Sequence, residues 1–221
     1  MTLLGFDTST AASSAAVLLP DGRTVEHTPN PERLAERPGH ASELLPAVHE
    51  VMERAGVRFA DLDAVAVGVG PGTFTGLRIG VATARGLAKA NGLPVRGVSS
   101  LAALAAGMTA AARLPLIDAK RGEMYGALFD GSQLIWPPFA SPVATLVERL
   151  RGAPTTVLAA GDGSLRFREE LEAAGVTVAP LGSPVHVVSA AHLCRLALDI
   201  PDAPAEQVLP DYVREPDAVP R

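Results

Sequence analysis

Between Ala64 and Gly92 the chain reads AVAVGVGPGTFTGLRIGVATARGLAKANG. An apolar run with no polar alternation is the mark of a strand covered on both faces. Here it breaks at a glycine- and proline-rich turn and passes straight into a helix pattern. That sequence of events points to a sheet layered with helices. The helix carries Gly76, Gly80, Ala84 and Ala88 at four-residue spacing, a stripe with almost no side chain. Two interior glycines weaken an isolated helix by about 1 kcal/mol each relative to alanine, so close packing must offset them. Two partners suit the stripe: the chain's own sheet or first helix, or a helix of another subunit. The residues leave both open. Thr75 is a candidate cap for the helix, and Arg78, Arg85 and Lys89 share another face that reads as a solvated rim.

The turn also restricts the chemistry. Neither G-x-x-x-x-G-K-[ST] nor G-x-G-x-x-G is present, so P-loop hydrolysis and hydride transfer lose their usual support. A second hydroxyl-rich turn lies near the N-terminus, where LLGF runs into Asp7, Thr8, Ser9 and Thr10. Such a turn can bind a nucleotide phosphate, and its aspartate can hold a metal or a water. The same four residues serve equally as a capped hairpin turn. Further on, IDAKRGEMYGALF reads as a hairpin with Lys120, Arg121 and Gly122 at its turn, flanked by Asp118 and Glu123. Its simplest reading is an exposed charged turn.

Around these turns the chain alternates regularly. TLLGFDTST and SAAVLLPDGRTVEHT read as three antiparallel strands, and NPERLAERPG as a polar loop. HASELLPAVHEVMERAG is an amphipathic helix with Leu44, Val48, Val51, Met52 and Ala55 on one face and Gly56 to end it. Pro46 requires a place in its first turn, or a kink. LPVRGVS is a strand and SLAALAAGMTAAA a helix. The pattern then restarts, with RLPLIDAK, GEMYGALFD and SQLIWPPFA as strands. SPVATLVERLRG, LRFREELEAAG and VSAAHLCRLALDI follow as helices, separated by the strands TTVLAAGDG and VTVAPLG. Three strands and then alternating helix and strand, twice over, predict two related α/β lobes, each a mixed sheet with helices. The first is residues 1–112. The second is 113–221 and ends in the extended, proline-rich PAEQVLPDYVREPDAVPR.

Composition narrows the function. The 221 residues are 48% hydrophobic but only 4% aromatic, so the core is built from alanine, valine and leucine. A net charge of -5 argues against the chain gripping nucleic acid by itself. Cys194 is the single cysteine, which suits a reducing cytoplasm. MTLLGFDTST lacks the basic start of a signal peptide, and no apolar stretch approaches the roughly 20 residues of a membrane span. His27, His40, His49, His186 and His192 form neither H-x-x-x-H nor H-E-x-x-H, so no metal site is predicted. There is no G-x-S-x-G elbow either, and no catalytic residue is assigned.

GFDTST, HASELLP, GVGPGTFTGLRIGVATARGLA, DAKRGEMYGALF and a terminal PDYVRE occur in this order over nearly the whole chain. Together they resemble the bacterial TsaB (YeaZ) family, which takes part in making threonylcarbamoyladenosine in tRNA. The resemblance implies a two-lobed actin-like, sugar-kinase-like fold. It also implies a partner, TsaD, which is similar in sequence, carries the transferase site and shares the old glycoprotease label, peptidase M22-like. TsaD-like sequences carry two metal-binding histidines four apart just after the strand that follows the glycine-rich helix. By position Ser100 and Leu104 stand there in this chain, which implies that the metal site is lost. The role implied is a non-catalytic activator that binds TsaD through its N-terminal lobe, with a small ATPase, TsaE, joining the assembly. ATP or ADP would bind in the complex, tRNA only through it, and a homodimer would form when TsaD is absent. On this reading Leu44, Val48, Val51, Met52, Gly76, Gly80, Ala84 and Ala88 face the partner. The alternatives are an ATP-binding kinase-like or M22-type peptidase-like enzyme acting alone, and a nucleotide- or sugar-binding module without catalysis.

Overall fold

The computed structural model describes residues 1–151 and 156–213. Two five-stranded mixed sheets organise it. The first contains β1 (Leu3–Asp7), β2 (Ser14–Leu18), β3 (Thr24–His27), β4 (Ala64–Gly70) and β5 (Val95–Ser99), in the order β3-β2-β1-β4-β5. The second contains β6 (Ala112–Lys120), β7 (Glu123–Asp130), β8 (Gln133–Pro142), β9 (Val157–Ala160) and β10 (Thr177–Val178), in the order β10-β9-β6-β7-β8. Reversed, that is the same order. In each sheet the first three strands pair antiparallel and the last two join parallel to the first. The restart seen in the sequence is thus a repeated topology, one mixed sheet in each of two lobes.

The helices are α1 (His40–Ala55), α2 (Phe74–Asn91), α3 (Ser100–Ala106), α4 (Val143–Leu150), α5 (Asp162–Arg166), α6 (Arg168–Ala173) and α7 (Ala190–Ala197). Strand alternation sorts them. Leu4, Phe6, Val65 and Val67 point to one face of the first sheet, where Leu44, Val48 and Val51 of α1 and Val81 and Ala84 of α2 meet them. Leu3, Ala64 and Ala66 point to the other face, where Leu193 and Cys194 of α7 meet them. On the second sheet α4 and α6 cover the outer face through Leu146, Leu150 and Leu171.

Two helices are exchanged across the molecule. After β5, α3 packs Leu101 and Leu104 into the cluster that contains Ile117 and Tyr125 of the second sheet. After β10, α7 returns to the first sheet, where Glu26 of β3 accepts hydrogen bonds from Ser189 Oγ at 2.8 Å and Ala191 N at 3.0 Å. The first lobe's core therefore includes residues beyond 186, and a clean division into 1–112 and 113–221 misses this exchange. The following segment also stays with the first sheet: Ala203 bridges Val95, and the Asp211 N–H donates to Val69 O at 2.7 Å.

Local expectations shift in three places. The cap position of α2 is Thr73, with Thr75 already in the first turn. Pro46 lies inside α1, one turn later than its missing N–H would prefer. The helix expected over LRFREELEAAG starts earlier, at Asp162, and breaks at Phe167 into α5 and α6. The end of the proline-rich tail, from Arg214 on, lies outside the described residues.

A sealed turn, an open cleft and an outer groove

β1 ends in Asp7 because the strand turns sharply beneath α2. Asp7 Oδ1 accepts hydrogen bonds from Ser9 N at 2.8 Å and Ser9 Oγ at 2.6 Å, and Oδ2 accepts one from Ser100 Oγ at 2.7 Å. Thr8 Oγ1 donates to the Gly76 carbonyl at 2.8 Å, and Thr10 Oγ1 to Ala12 O at 3.4 Å. The turn before α2 lies directly on top, with Thr73 N–H donating to Ser9 O at 2.7 Å and Gly72 so close that a β-carbon there would come within 2.5 Å of Ser9. Asp7, Thr8, Ser9 and Thr10 are all 0% exposed. The expectation of a phosphate-binding turn at these four residues is therefore corrected: their side chains bond within the chain, and the GPGT turn covers them. Burial pushes the Asp7 carboxyl above its ordinary value, against the hydrogen bonds from Ser9 and Ser100.

The same contact explains the glycine stripe. A β-carbon at Gly76 would overlap the Thr8 carbonyl oxygen, and one at Gly80 would overlap Thr8 Oγ1. Ala84 and Ala88 continue the stripe into the core. So the two open partners resolve to the chain's own fold, at the turn that follows its first strand. Leu44, Val48, Val51 and Met52 are buried under α1 in the same core. All eight residues assigned to a partner face are thus interior, because the apolar stripe of a surface helix faces its own sheet first. What the two helices leave outside is different. Leu45 is 53% exposed and Phe74 44%. Phe74 stacks on Tyr212, while a separate groove of 560 Å³ lies beside Leu45, lined also by His49, Val57, Phe59 and Leu87, with the edges of Val48 and Met52 and with Glu53 and Arg58 at its rim.

A larger cleft of 750 Å³ opens between the short 3-10 helix Pro31–Ala35, where a polar loop was expected, and the second lobe, with Asp118, Lys120, Asp162 and Arg166 on its wall. Asp118 is buried near the end of β6, two residues before the exposed Lys120. It accepts hydrogen bonds from Lys120 N at 2.8 Å, Lys120 Nζ at 2.9 Å and Arg166 Nη1 at 2.9 Å. Burial alone would raise its pKa, but these donors hold it below the ordinary carboxylate value. Its own N–H donates to Asp162 Oδ1 at 2.9 Å. Burial, with Asp118 adding to it, pushes Asp162 up to about 6. The turn carries Lys120 at φ 63° and Arg121 at φ 54°, left-handed backbone that costs a side-chain-bearing residue roughly 1–2 kcal/mol. Two neighbouring carboxyls, one ionised and one titrating near pH 6, can accept and return a proton. Asp118 was visible in the hairpin motif. Asp162 and Arg166 were missed, although GDG after an apolar strand repeats the glycine turn that follows β4.

Ser100 and Leu104, the positions at which the resemblance implies lost histidines, are both buried: Ser100 on Asp7 and Leu104 in the core. Among the described residues no three His, Cys, Asp or Glu side chains group as metal ligands. His186 instead accepts from Gly161 N at 3.1 Å and faces the carbonyls of Ala179 and Pro180. Cys194 is buried, its thiol pushed up to about 12. No helix among the described residues is long and apolar enough to cross a membrane.

Residues 30–206 match the family model described as TsaD: tRNA N6-adenosine threonylcarbamoyltransferase. The chain is 41% identical over 131 residues to the Escherichia coli tRNA threonylcarbamoyladenosine biosynthesis protein TsaB, a match covering 57% of the chain and 54% of that protein. It is 29% identical to the Bacillus subtilis protein of the same description, over 97% of the chain and 94% of the relative. Among the first curated relatives the chain spans as little as 39% of their length and no more than 63%. YeaZ from Pseudomonas aeruginosa superimposes with a TM-score of 0.76 at 33% identity, covering 96% of this chain and 99% of that one. A family model matched over most of the chain and a YeaZ structure covered almost end to end place the chain in the TsaB (YeaZ) family, related to the TsaD threonylcarbamoyltransferases.

Proposed function

We propose that the chain is a non-catalytic subunit in the formation of threonylcarbamoyladenosine in tRNA, and that it binds a TsaD-type subunit with the outer face of α1 and α2. The observation that carries this reading is the sealed turn at Asp7–Thr10. The first lobe spends its hydroxyls and its glycine stripe on internal packing, and what it offers outward is an apolar groove at Leu45, His49, Phe59 and Leu87. Buried apolar anchors in such a groove are what a stable protein contact requires. In this reading a TsaE-type ATPase joins the pair and ATP or ADP binds in the assembly, while the acidic chain reaches tRNA only through it. Without the TsaD-type subunit the same face pairs two copies of the chain. The test is co-purification with the TsaD-type subunit of the same organism, followed by a tRNA modification assay with and without this chain. Modification at full rate without the chain would refute the activator role.

A second reading has its own observation. The 750 Å³ cleft with Asp118, Lys120, Asp162 and Arg166 could house a nucleotide and let the chain act alone as a kinase-like enzyme. Calorimetric titration of the isolated chain with ATP separates the two: micromolar binding that Asp162→Asn or Lys120→Ala abolishes would favour the enzyme.

A further inference from the structure

α2 carries its cations on one flank. Arg78, Arg85 and Lys89 are seven and then four residues apart, so they follow one another along roughly 16 Å of one side of the helix. Among the described residues none of the three is paired with a carboxylate, whereas Arg54, Arg96 and Arg166 elsewhere all are. This flank is not the one beside the outer groove. Leu87, the α2 residue of that groove, is nine residues from Arg78, about two and a half turns, and so lies on the opposite side of the helix. Arg78 is held ready for an anion. Its guanidinium carbon lies 3.7 Å from the centroid of the Phe74 ring, and its Nε donates to Tyr212 Oη at 3.2 Å. Tyr212 packs on Phe74 with ring centroids 5.5 Å apart, and its neighbour Asp211 is tied to Val69 O, so the phenol is a fixed acceptor. The terminal nitrogens of this exposed arginine are left as a fork that matches two oxygens of an anion. About two and three turns further on, Arg85 and Lys89 border an open pocket of 510 Å³. Glu206 lines the same pocket and pairs with neither of them.

We propose that this flank of α2 contacts the phosphodiester backbone of tRNA. A lone carboxylate would engage one of the three cations, whereas a polyanion lying along the helix engages all of them. The proposal rests on the reading that the chain works beside a TsaD-type subunit, which takes the groove side of α2 and leaves the cationic side open. The net charge of -5 sets the scale: the flank adds contacts to an RNA surface carried mainly by the partner and does not hold tRNA by itself. Contacts to phosphates position the RNA without reading its bases, so the flank serves orientation and not sequence choice.

The experiment titrates a labelled, unmodified tRNA transcript with the complex of the chain and its TsaD-type subunit at several salt concentrations. Arg78→Gln/Arg85→Gln/Lys89→Gln keeps good helix formers and removes three charges. Its tRNA affinity should fall at least about tenfold, and the slope of log K against log salt should become shallower by roughly 2–3. Arg23→Gln/Arg151→Gln/Arg195→Gln removes the same charge from exposed positions elsewhere and should change the affinity less than about twofold. Parental affinity and slope in the α2 variant overturn the proposal. So does an equal loss in the control variant. So does an α2 variant that no longer joins the TsaD-type subunit on size exclusion, since the flank then meets protein. A parent chain that forms no complex refutes the partner reading, and the proposal falls with it. If the triple variant loses its fold by circular dichroism, Lys89→Gln at its exposed position decides alone, with an expected slope change of roughly 0.7–0.9.

Discussion

Asp7 and Asp118 occupy equivalent places, near the end of the first strand in each of two sheets of identical topology, and their surroundings have diverged completely. Asp7 is fully buried, meets only hydroxyls and an amide, and has its pKa raised. Asp118 meets Lys120 and Arg166 on the wall of an open cleft and has its pKa lowered. What differs is the element that follows the fourth strand. In the first lobe it is the long α2, whose glycine stripe lets it settle onto the turn. In the second it is the five-residue α5, which ends before it can cover the cleft. A duplicated fold can thus close one copy of a ligand-type turn and leave the other open by the length and glycine placement of a single helix.

The largest effect is expected where the first turn is sealed. Gly76→Ala drives a methyl group into the Thr8 carbonyl, and Gly80→Leu drives a larger side chain into the Thr8 hydroxyl. Overpacking of a closed core costs about 1–3 kcal/mol, a Tm loss of roughly 2–12 °C for a chain of this size. Thermal unfolding followed by circular dichroism measures it. An unchanged Tm for both variants would mean that the turn is not sealed by this contact.

At the open turn the two carboxyls should respond with opposite signs. Asp118 has a lowered pKa, so its contribution to stability is present above the ordinary value of 3.8 and is lost as pH falls through its folded value. Asp118→Asn should therefore lower stability at pH 7 by about 1–2 kcal/mol and matter little in strong acid. Asp162 has a raised pKa, so its contribution is full below 3.8 and is lost as pH rises through about 6. Asp162→Asn keeps an oxygen for the Asp118 N–H and should stabilise the chain at pH 8 by about 1 kcal/mol, with no gain at pH 3. Melting curves of both variants across this pH range would expose a shared sign, which would contradict the contrast between the two carboxyls.

Much of this was readable in the residues, and the misses share one cause. The unalternated run Ala64–Gly70 announced a doubly covered strand, and the repeated strand pattern announced two lobes, because both depend on neighbours in the chain. The stripe from Gly76 to Ala88 announced a close approach without naming what approaches, since Thr8 lies 68 residues away. The closure of the Asp7 turn has the same long-range origin. The exchange of α3 and α7 was hidden because an amphipathic helix shows that it has a buried face, never which sheet receives it. Leu45 and Phe74 are apolar side chains left exposed on their helices, Leu45 at the outer groove and Phe74 against Tyr212.

The smallest effect on stability, and the sharpest on binding, is expected at that outer face. The most direct experiment titrates the TsaD-type subunit with Leu45→Glu and Gly80→Leu, with thermal unfolding of each variant alongside. Leu45→Glu removes an exposed apolar side chain, so its stability should stay within about 0.5 kcal/mol of the parent. Its affinity for the partner should fall at least tenfold, about 1.4 kcal/mol. Gly80→Leu should lose its effect through folding, with a lowered Tm. A Leu45→Glu variant that binds like the parent, beside a Gly80→Leu variant that melts like the parent but no longer binds, would contradict an internal stripe and an outer docking groove together.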